Sequence, residues 1–174
     1  RHNTAGDRIY RINTIPYFHE GNRVQRNEAA TTTLPLRDEL LNNYTGVDKA
    51  VRLVRGFGNN WLEIDPNHDI NIPISGFFAD PEVLDVFQYE LEYRDPGTAL
   101  IEPYSVVLTK QAAEKLFRNE NPVGESIKVG KLGVYKVTGV IKKTENRSHI
   151  TADAFASIAT VRSLKAAKVV NTDL

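Results

Sequence analysis

The chain has 174 residues, 41% hydrophobic and 25% charged, with neither cysteine nor methionine. Lys plus Arg and Asp plus Glu number 22 each, so the formal charge is zero and supplies no pull toward nucleic acid or an anionic membrane surface. A chain of this size buries roughly 70% of its unfolded surface, enough for a core without disulfide or metal support.

In chain order, Arg1 to Gly6 is polar and without pattern. Arg8 to Ile15 predicts a strand with Tyr10 and Ile12 on one face and Ile9 and Ile15 on the other. Polar sequence continues to Thr33, with a turn at Gly21-Asn22. Pro35 to Tyr44 predicts a helix with a buried stripe of Leu36, Leu40, Leu41 and Tyr44, and Gly46 stands where a C-terminal cap belongs. Asp48 to Arg55 alternates as a second strand, which completes a β-α-β unit. The short, polar Gly56 to Asn60, GFGNN, reads as a lobe boundary.

Trp61 to Ile64 and Ile70 to Ile74 predict two short strands around Asp65-Pro66-Asn67-His68. Asp80-Pro81-Glu82 reads as a helix start of the N-cap, proline-N1 kind, with Val83, Leu84 and Phe87 apolar, and Asp95-Pro96-Gly97 as a turn. The densest signals lie between Tyr104 and Ile141. Val106-Val107-Leu108 predicts a buried strand; Thr109 is placed to cap a helix whose Ala112, Ala113, Leu116 and Phe117 recur at helical spacing. Asn121-Pro122-Val123-Gly124 ends that helix as a type I turn, and Gly124→Val is expected to destabilise the lobe after Gly56–Asn60, for want of space at the turn. Ile127 and Val129 begin a hairpin that turns at Gly130–Gly133 and returns from Val134 to Ile141. A polar turn, Lys142 to Ser148, a segment from Ile150 to Ala159 and weak helical character after Thr160 complete the chain. No apolar run approaches the roughly 20 residues that span a bilayer, and no signal-peptide pattern opens the chain. Starting at Arg1 without any methionine, it reads as a segment excised from a longer product.

The chemistry-bearing residues resolve into structure rather than sites. Asp65-x-Asn67-x-Asp69-x-Asn71 begins like a calcium loop, but Ile70 and Gly76 stand where that loop needs glycine and glutamate, so a turn is the better reading. His2, His19, His68 and His149 show no metal-ligand spacing. Ser148-His149 lacks the elbow that exposes a nucleophile, and adjacent residues rarely point at one another. Gly56 and Gly58 lack the third glycine and the following helix of a phosphate loop, and no Walker lysine occurs. Trp61, Phe77 and Phe78 form the candidate ligand or partner surface, with core or lobe interface as the plainer reading. Catalytic residues, cofactor and metal are all read as none.

The ordered set VVLTKQAAEKLF, NPVGESIKV and YKVTGVI, with DRIYRIN, FFADPEVLDVFQYEL and NRSHITADAF elsewhere, resembles the extracytoplasmic core domain of MacB/FtsX-type ABC transporter permeases, in a Bacteroidota-like version. On that resemblance Asn121, Pro122, Gly124, Gly139, Ser148 and His149 are structural motif positions. The expected fold is α+β with two lobes: a β-α-β porter-like lobe of residues 1–55 plus 150–174, and a small mixed α/β lobe, 56–149, inserted into it. Too few residues follow Ala154 for the second strand-helix-strand half that the family adds, so the first lobe is expected to be incomplete. The resemblance implies a non-catalytic domain on the periplasmic side of the inner membrane, passing transmembrane-helix movement to substrate export or to an adaptor. Its partners would be the rest of the permease, a separate cytoplasmic ATPase and an adaptor or second permease copy, with the membrane reached only through flanking helices. The alternatives are a free-standing peptide- or glycan-binding module, which needs a concave apolar pocket, and a hydrolase with a spatially assembled site.

Overall fold

The computed structural model describes residues 8–12, 17–20, 23–26, 33–58, 61–65, 68–92, 95–118, 121–142 and 152–169. The chain divides into two compact units, Arg1–Ala50 and Val51–Leu174.

The first unit carries an antiparallel hairpin, β1 (Tyr17–Glu20) and β2 (Arg23–Arg26), with Glu20 opposite Arg23. The helix α1 (Leu36–Asn43) follows Pro35, whose φ of −67° suits a helix start. None of its residues is buried: Leu36, Leu40 and Leu41 are half-buried and Tyr44 is 59% exposed. The expected buried stripe is therefore corrected to a lightly covered one. Arg37 ties the helix to the following loop, its Nε donating to the Ala50 carbonyl at 2.8 Å. The strand expected over Arg8–Ile15 is not found at residues 8–12, and residues 13–16 lie outside the described ones. A strand exists through its hydrogen-bonded neighbour, and no ladder engages residues 8–12 among the described residues. The expected β-α-β unit is corrected as well: β2 pairs with β1 in its own two-stranded sheet, whereas Leu53–Phe57 pairs in a different one.

The second unit is one mixed eight-stranded sheet. Its strands are β3 (Leu53–Phe57), β4 (Trp61–Asp65), β5 (His68–Pro73), β6 (Gly76–Ala79), β7 (Ser105–Thr109), β8 (Ser126–Val129), β9 (Val134–Ile141) and β10 (Ala154–Ser157). They lie in the order β3-β6-β10-β7-β9-β8-β4-β5. β6–β10 and β7–β9 are parallel and the remaining neighbours antiparallel. With the helices α2 (Val83–Val86), α3 (Lys110–Phe117) and α4 (Ala159–Ala166), this is an α+β fold. β3 begins at Leu53 rather than Asp48. The backbone N–H just before it, on Arg52, is taken by the Asp80 carboxylate at 2.7 Å. Gly56 and Phe57 belong to β3, at a register shift, so the chain leaves the sheet only at Gly58.

Two ladders cross the four consecutive strands β6, β10, β7 and β9. Phe77, Phe155, Val107 and Gly139 are aligned in one, Phe78, Ala156, Val106 and Val137 in the next. Successive strand residues face opposite ways, so these ladders supply the two sheet faces. Phe155 and Val107 join Val83, Leu84, Leu91, Leu100 and Ile141 in one buried cluster. On the other side Phe57 meets Phe78 and Tyr135 edge-on, at centroid distances of 5.5 and 5.1 Å. Thr138 is buried on β9 with its hydroxyl 2.7 Å from the Ala99 carbonyl, which secures the turn before β7.

The local signals of α3 hold. Thr109 Oγ1 accepts from the Ala112 N–H at 3.2 Å, and Ala112, Ala113 and Leu116 are buried. A cap of this kind contributes about 1 kcal/mol. For α2 the cap is corrected: Asp80 makes no side-chain cap, because its carboxylate is turned to Arg52.

Candidate functional site

The turn motif is stitched to β9. Asn121 Oδ1 accepts from the Val123 N–H at 3.0 Å, Pro122 is buried, and the Glu125 N–H donates to the Pro122 carbonyl at 3.0 Å. Gly124 is thus the third residue of the turn, and its φ of +102° is the positive value a type II turn requires there. The expected type I turn over 121–124 shifts by one residue and changes type. Gly124 N–H donates to the Val137 carbonyl at 2.9 Å and Val137 N–H to the Glu125 carbonyl at 2.8 Å. A Cβ on Gly124 would meet nothing within 4 Å, so the backbone angle and not crowding demands glycine.

Gly139 answers to a different constraint. A Cβ there would lie 2.8 Å from Cδ1 of Leu91, whose own backbone bridges to Ile141. Asn121, Pro122 and Gly124 thus belong to a turn bonded to β9 at Val137, whereas Gly139 lies within β9 and faces Leu91. Ser148 and His149 lie outside the described residues.

The aromatic candidates do not converge. Phe78 is 1% exposed and packed on Phe57, whereas Phe77, on the opposite face, is half-buried against the Leu84 cluster. Trp61 opens β4 opposite Pro73. Asp65 and Asp69 belong to the β4–β5 hairpin, and Asn67 lies outside the described residues. Among the described residues no group of His, Cys, Asp or Glu is placed to hold a metal ion. None of the helices described is long and apolar enough to cross a membrane.

The structure brings forward residues that the sequence pattern passed over. Arg52 and Asp80 form a two-pronged ion pair, Nη2 to Oδ1 at 2.7 Å and Nε to Oδ2 at 3.0 Å, with the Asp80 side chain only 4% exposed. Their separation in sequence hid the pair; the one available hint was an acid beside a proline with two possible duties. Asp153 binds Ser75 through its carboxylate Oδ2, accepting from the backbone N–H at 3.0 Å and the hydroxyl at 3.2 Å. An open depression of about 410 Å³ lies beside them, lined by Gly58, Pro73, Ile74, Ser75 and Asp153. The Tyr135 hydroxyl is buried and finds no hydrogen-bond partner among the described residues; burial, and secondarily the neighbouring Tyr104, push its pKa well above the ordinary 10.0. These groups order a sheet. No nucleophile–base pair is among them.

Residues 2–172 match the family model for the MacB-like periplasmic core domain. The chain belongs to this family. MacB-like periplasmic core domains are extracytoplasmic, non-catalytic parts of ABC transporter permeases. Solved structures share the MacB-like fold. A domain of a permease-like protein from Porphyromonas gingivalis has 17% identity and a TM-score of 0.71, with 90% of this chain and 65% of that chain covered. The periplasmic region of MacB from Actinobacillus actinomycetemcomitans has 18% identity and a TM-score of 0.54, with 71% and 54% covered. The extracellular domain of the noncanonic ABC-type transporter YknZ from Gram-positive bacteria has 20% identity and a TM-score of 0.52, with 78% and 67% covered. The chain therefore spans about two thirds of the first of these and just over half of the second. No curated protein matches it in sequence.

Proposed function

We propose that this MacB-like domain sits between transmembrane helices of an inner-membrane ABC transporter permease and passes their movement outward, to substrate export or to an adaptor. The supporting observation is the family match over residues 2–172. The architecture suits the role. A mixed sheet of eight strands carries a displacement from one edge to the other through hydrogen-bonded ladders, which resist stretching far better than loops do. ATP hydrolysis then belongs to a separate cytoplasmic domain or subunit, and the remaining partners are the rest of the permease and an adaptor or second permease copy.

Residues 1–174 contain no cysteine, so one cysteine introduced here tests placement once any cysteine elsewhere in the full-length protein has been replaced. Ser126→Cys, at an exposed site on β8, is introduced into the full-length protein in its own host. A maleimide that crosses the outer but not the inner membrane is expected to label it in intact cells. Labelling only after the inner membrane is opened would refute the placement. The mechanical role is tested in the reconstituted transporter by cross-linking this domain to its neighbours, which should lower transport while leaving basal ATP hydrolysis measurable. Transport at an unaltered rate would overturn it.

A further inference from the structure

At the root of the β4–β5 hairpin, backbone segments meet with no side chain between them. The chain leaves β3 at Gly58 and returns through Ile74 and Ser75 into β6 at Gly76. A Cβ on Gly58 would lie 2.4 Å from the Ile74 carbonyl oxygen. One on Gly76 would lie 2.5 Å from the Ala154 carbonyl oxygen and 2.9 Å from Cδ1 of Phe57. Contacts this short with backbone do not occur for real side chains, so glycine is what lets the hairpin root press onto β3 and β10.

Asp153 closes this junction from the other side. Besides the two bonds that its carboxylate accepts from Ser75, its N–H donates to the Ser75 carbonyl at 2.7 Å. Its own carbonyl accepts from the Thr109 N–H at 2.8 Å, and Thr109 is the residue that caps α3. One residue thus grips the hairpin root on one side and the β7–α3 corner on the other. Farther out, the hairpin is held to the sheet by the short β4–β8 ladder, Leu62 opposite Val129 and Glu63 opposite Lys128.

We infer that Asp153 is a latch fixing the direction of the β4–β5 hairpin relative to the central strands, so that hairpin and β10 move as one body. The latch rests on this geometry alone and holds whether or not the domain sits in a permease. Asp153 is a positioning residue, and its carboxylate oxygen is the part that matters. Asn keeps an acceptor at the same place; Ala does not.

Spin labels on Asn71→Cys in β5 and Glu114→Cys on the exposed side of α3 report the hairpin direction by pulsed electron-resonance distances in the 174-residue chain, which has no other cysteine. Asp153→Ala is expected to broaden the distance distribution about twofold, since a released root samples more orientations, and Asp153→Asn to keep it narrow. An unchanged width in Asp153→Ala, or equal broadening in Asp153→Asn, would overturn the latch. A second reading needs no variant. The Ser75 amide in the unaltered chain is expected to exchange its hydrogen on the order of 100-fold more slowly than an open amide. Exchange at the open rate would equally overturn it.

Discussion

The ion pair between Arg52 and Asp80 offers the sharpest energetic test of the structure. Arg52→Met keeps most of the aliphatic stem and its packing, so the loss it causes reports the guanidinium rather than a cavity. The change withdraws two charge-assisted bonds, at 2.7 and 3.0 Å, from a carboxylate that stays 4% exposed. The backbone N–H of residue 52, at 2.7 Å, remains in place. Breaking a fully buried pair costs about 3–5 kcal/mol. The Arg52 side chain is 25% exposed and already partly solvated, so about 2–3 kcal/mol is expected here.

Urea unfolding followed by circular dichroism reads this directly. With a slope of about 2 kcal/mol per molar, ordinary for a small domain, the midpoint should fall by about 1–1.5 M. Asp80→Asn and the double variant complete a cycle, with an expected coupling of about 1.5–3 kcal/mol. A coupling below about 0.5 kcal/mol would place the pair with solvent-exposed ones and refute the argument that desolvation makes it matter.

Gly124→Val and Gly124→Ala should each lose about 1–2 kcal/mol, since both are forced to a φ of +102° in open space. Melting temperatures unchanged in both variants would refute the backbone-angle argument. Tyr135→Phe removes a buried hydroxyl that has no partner among the described residues and should leave stability equal or up to about 1 kcal/mol higher. Because burial raises the Tyr135 pKa above 10.0, folding favours its neutral form; stability is intact below pH 10 and falls as pH rises above it. Urea midpoints measured across that range should decline less steeply in Tyr135→Phe, and parallel slopes would count against the assignment. The purified chain should show no thermal stabilisation with magnesium ATP, because its sequence carries no phosphate-loop pattern; a concentration-dependent rise in melting temperature would contradict that.

How far the sequence could be read depended on how local each signal was. The run from Tyr104 to Ile141 is dense in caps, prolines and glycines, and β7, α3, β8 and β9 all lie where the pattern put them. Thr109 caps through an amide three residues on, a bond the sequence alone can anticipate. By contrast no local pattern marks β6 as a strand. It is four residues long, and what makes Gly76–Ala79 a strand is pairing with β3 before it and β10 far after it. Asp80 shows competition between levels: a cap contributes about 1 kcal/mol, and the guanidinium and amide of Arg52 outbid it. The stripe on α1 fails for another reason. Periodicity identifies which face of a helix is apolar, but nothing in it says how much covers that face.

Gly139 shows the limit most clearly. Glycine inside a strand ordinarily costs about 0.5–1 kcal/mol relative to alanine, so its place in the middle of β9 needs a cause. The ladder Phe77, Phe155, Val107 reaches position 139 with no side chain to continue it, and Leu91, 8% exposed, comes in from a separate segment to fill that place. The approach is locked by backbone bonds on either side, Glu92 N–H to the Val140 carbonyl and Lys142 N–H to the Glu90 carbonyl, both at 2.8 Å. From Tyr135 the strand alternates once and is then buried without a break from Val137 to Ile141, a pattern no period of two predicts. The residue that completes the buried face there is not on the strand at all, and a sequence read strand by strand has no means of naming it.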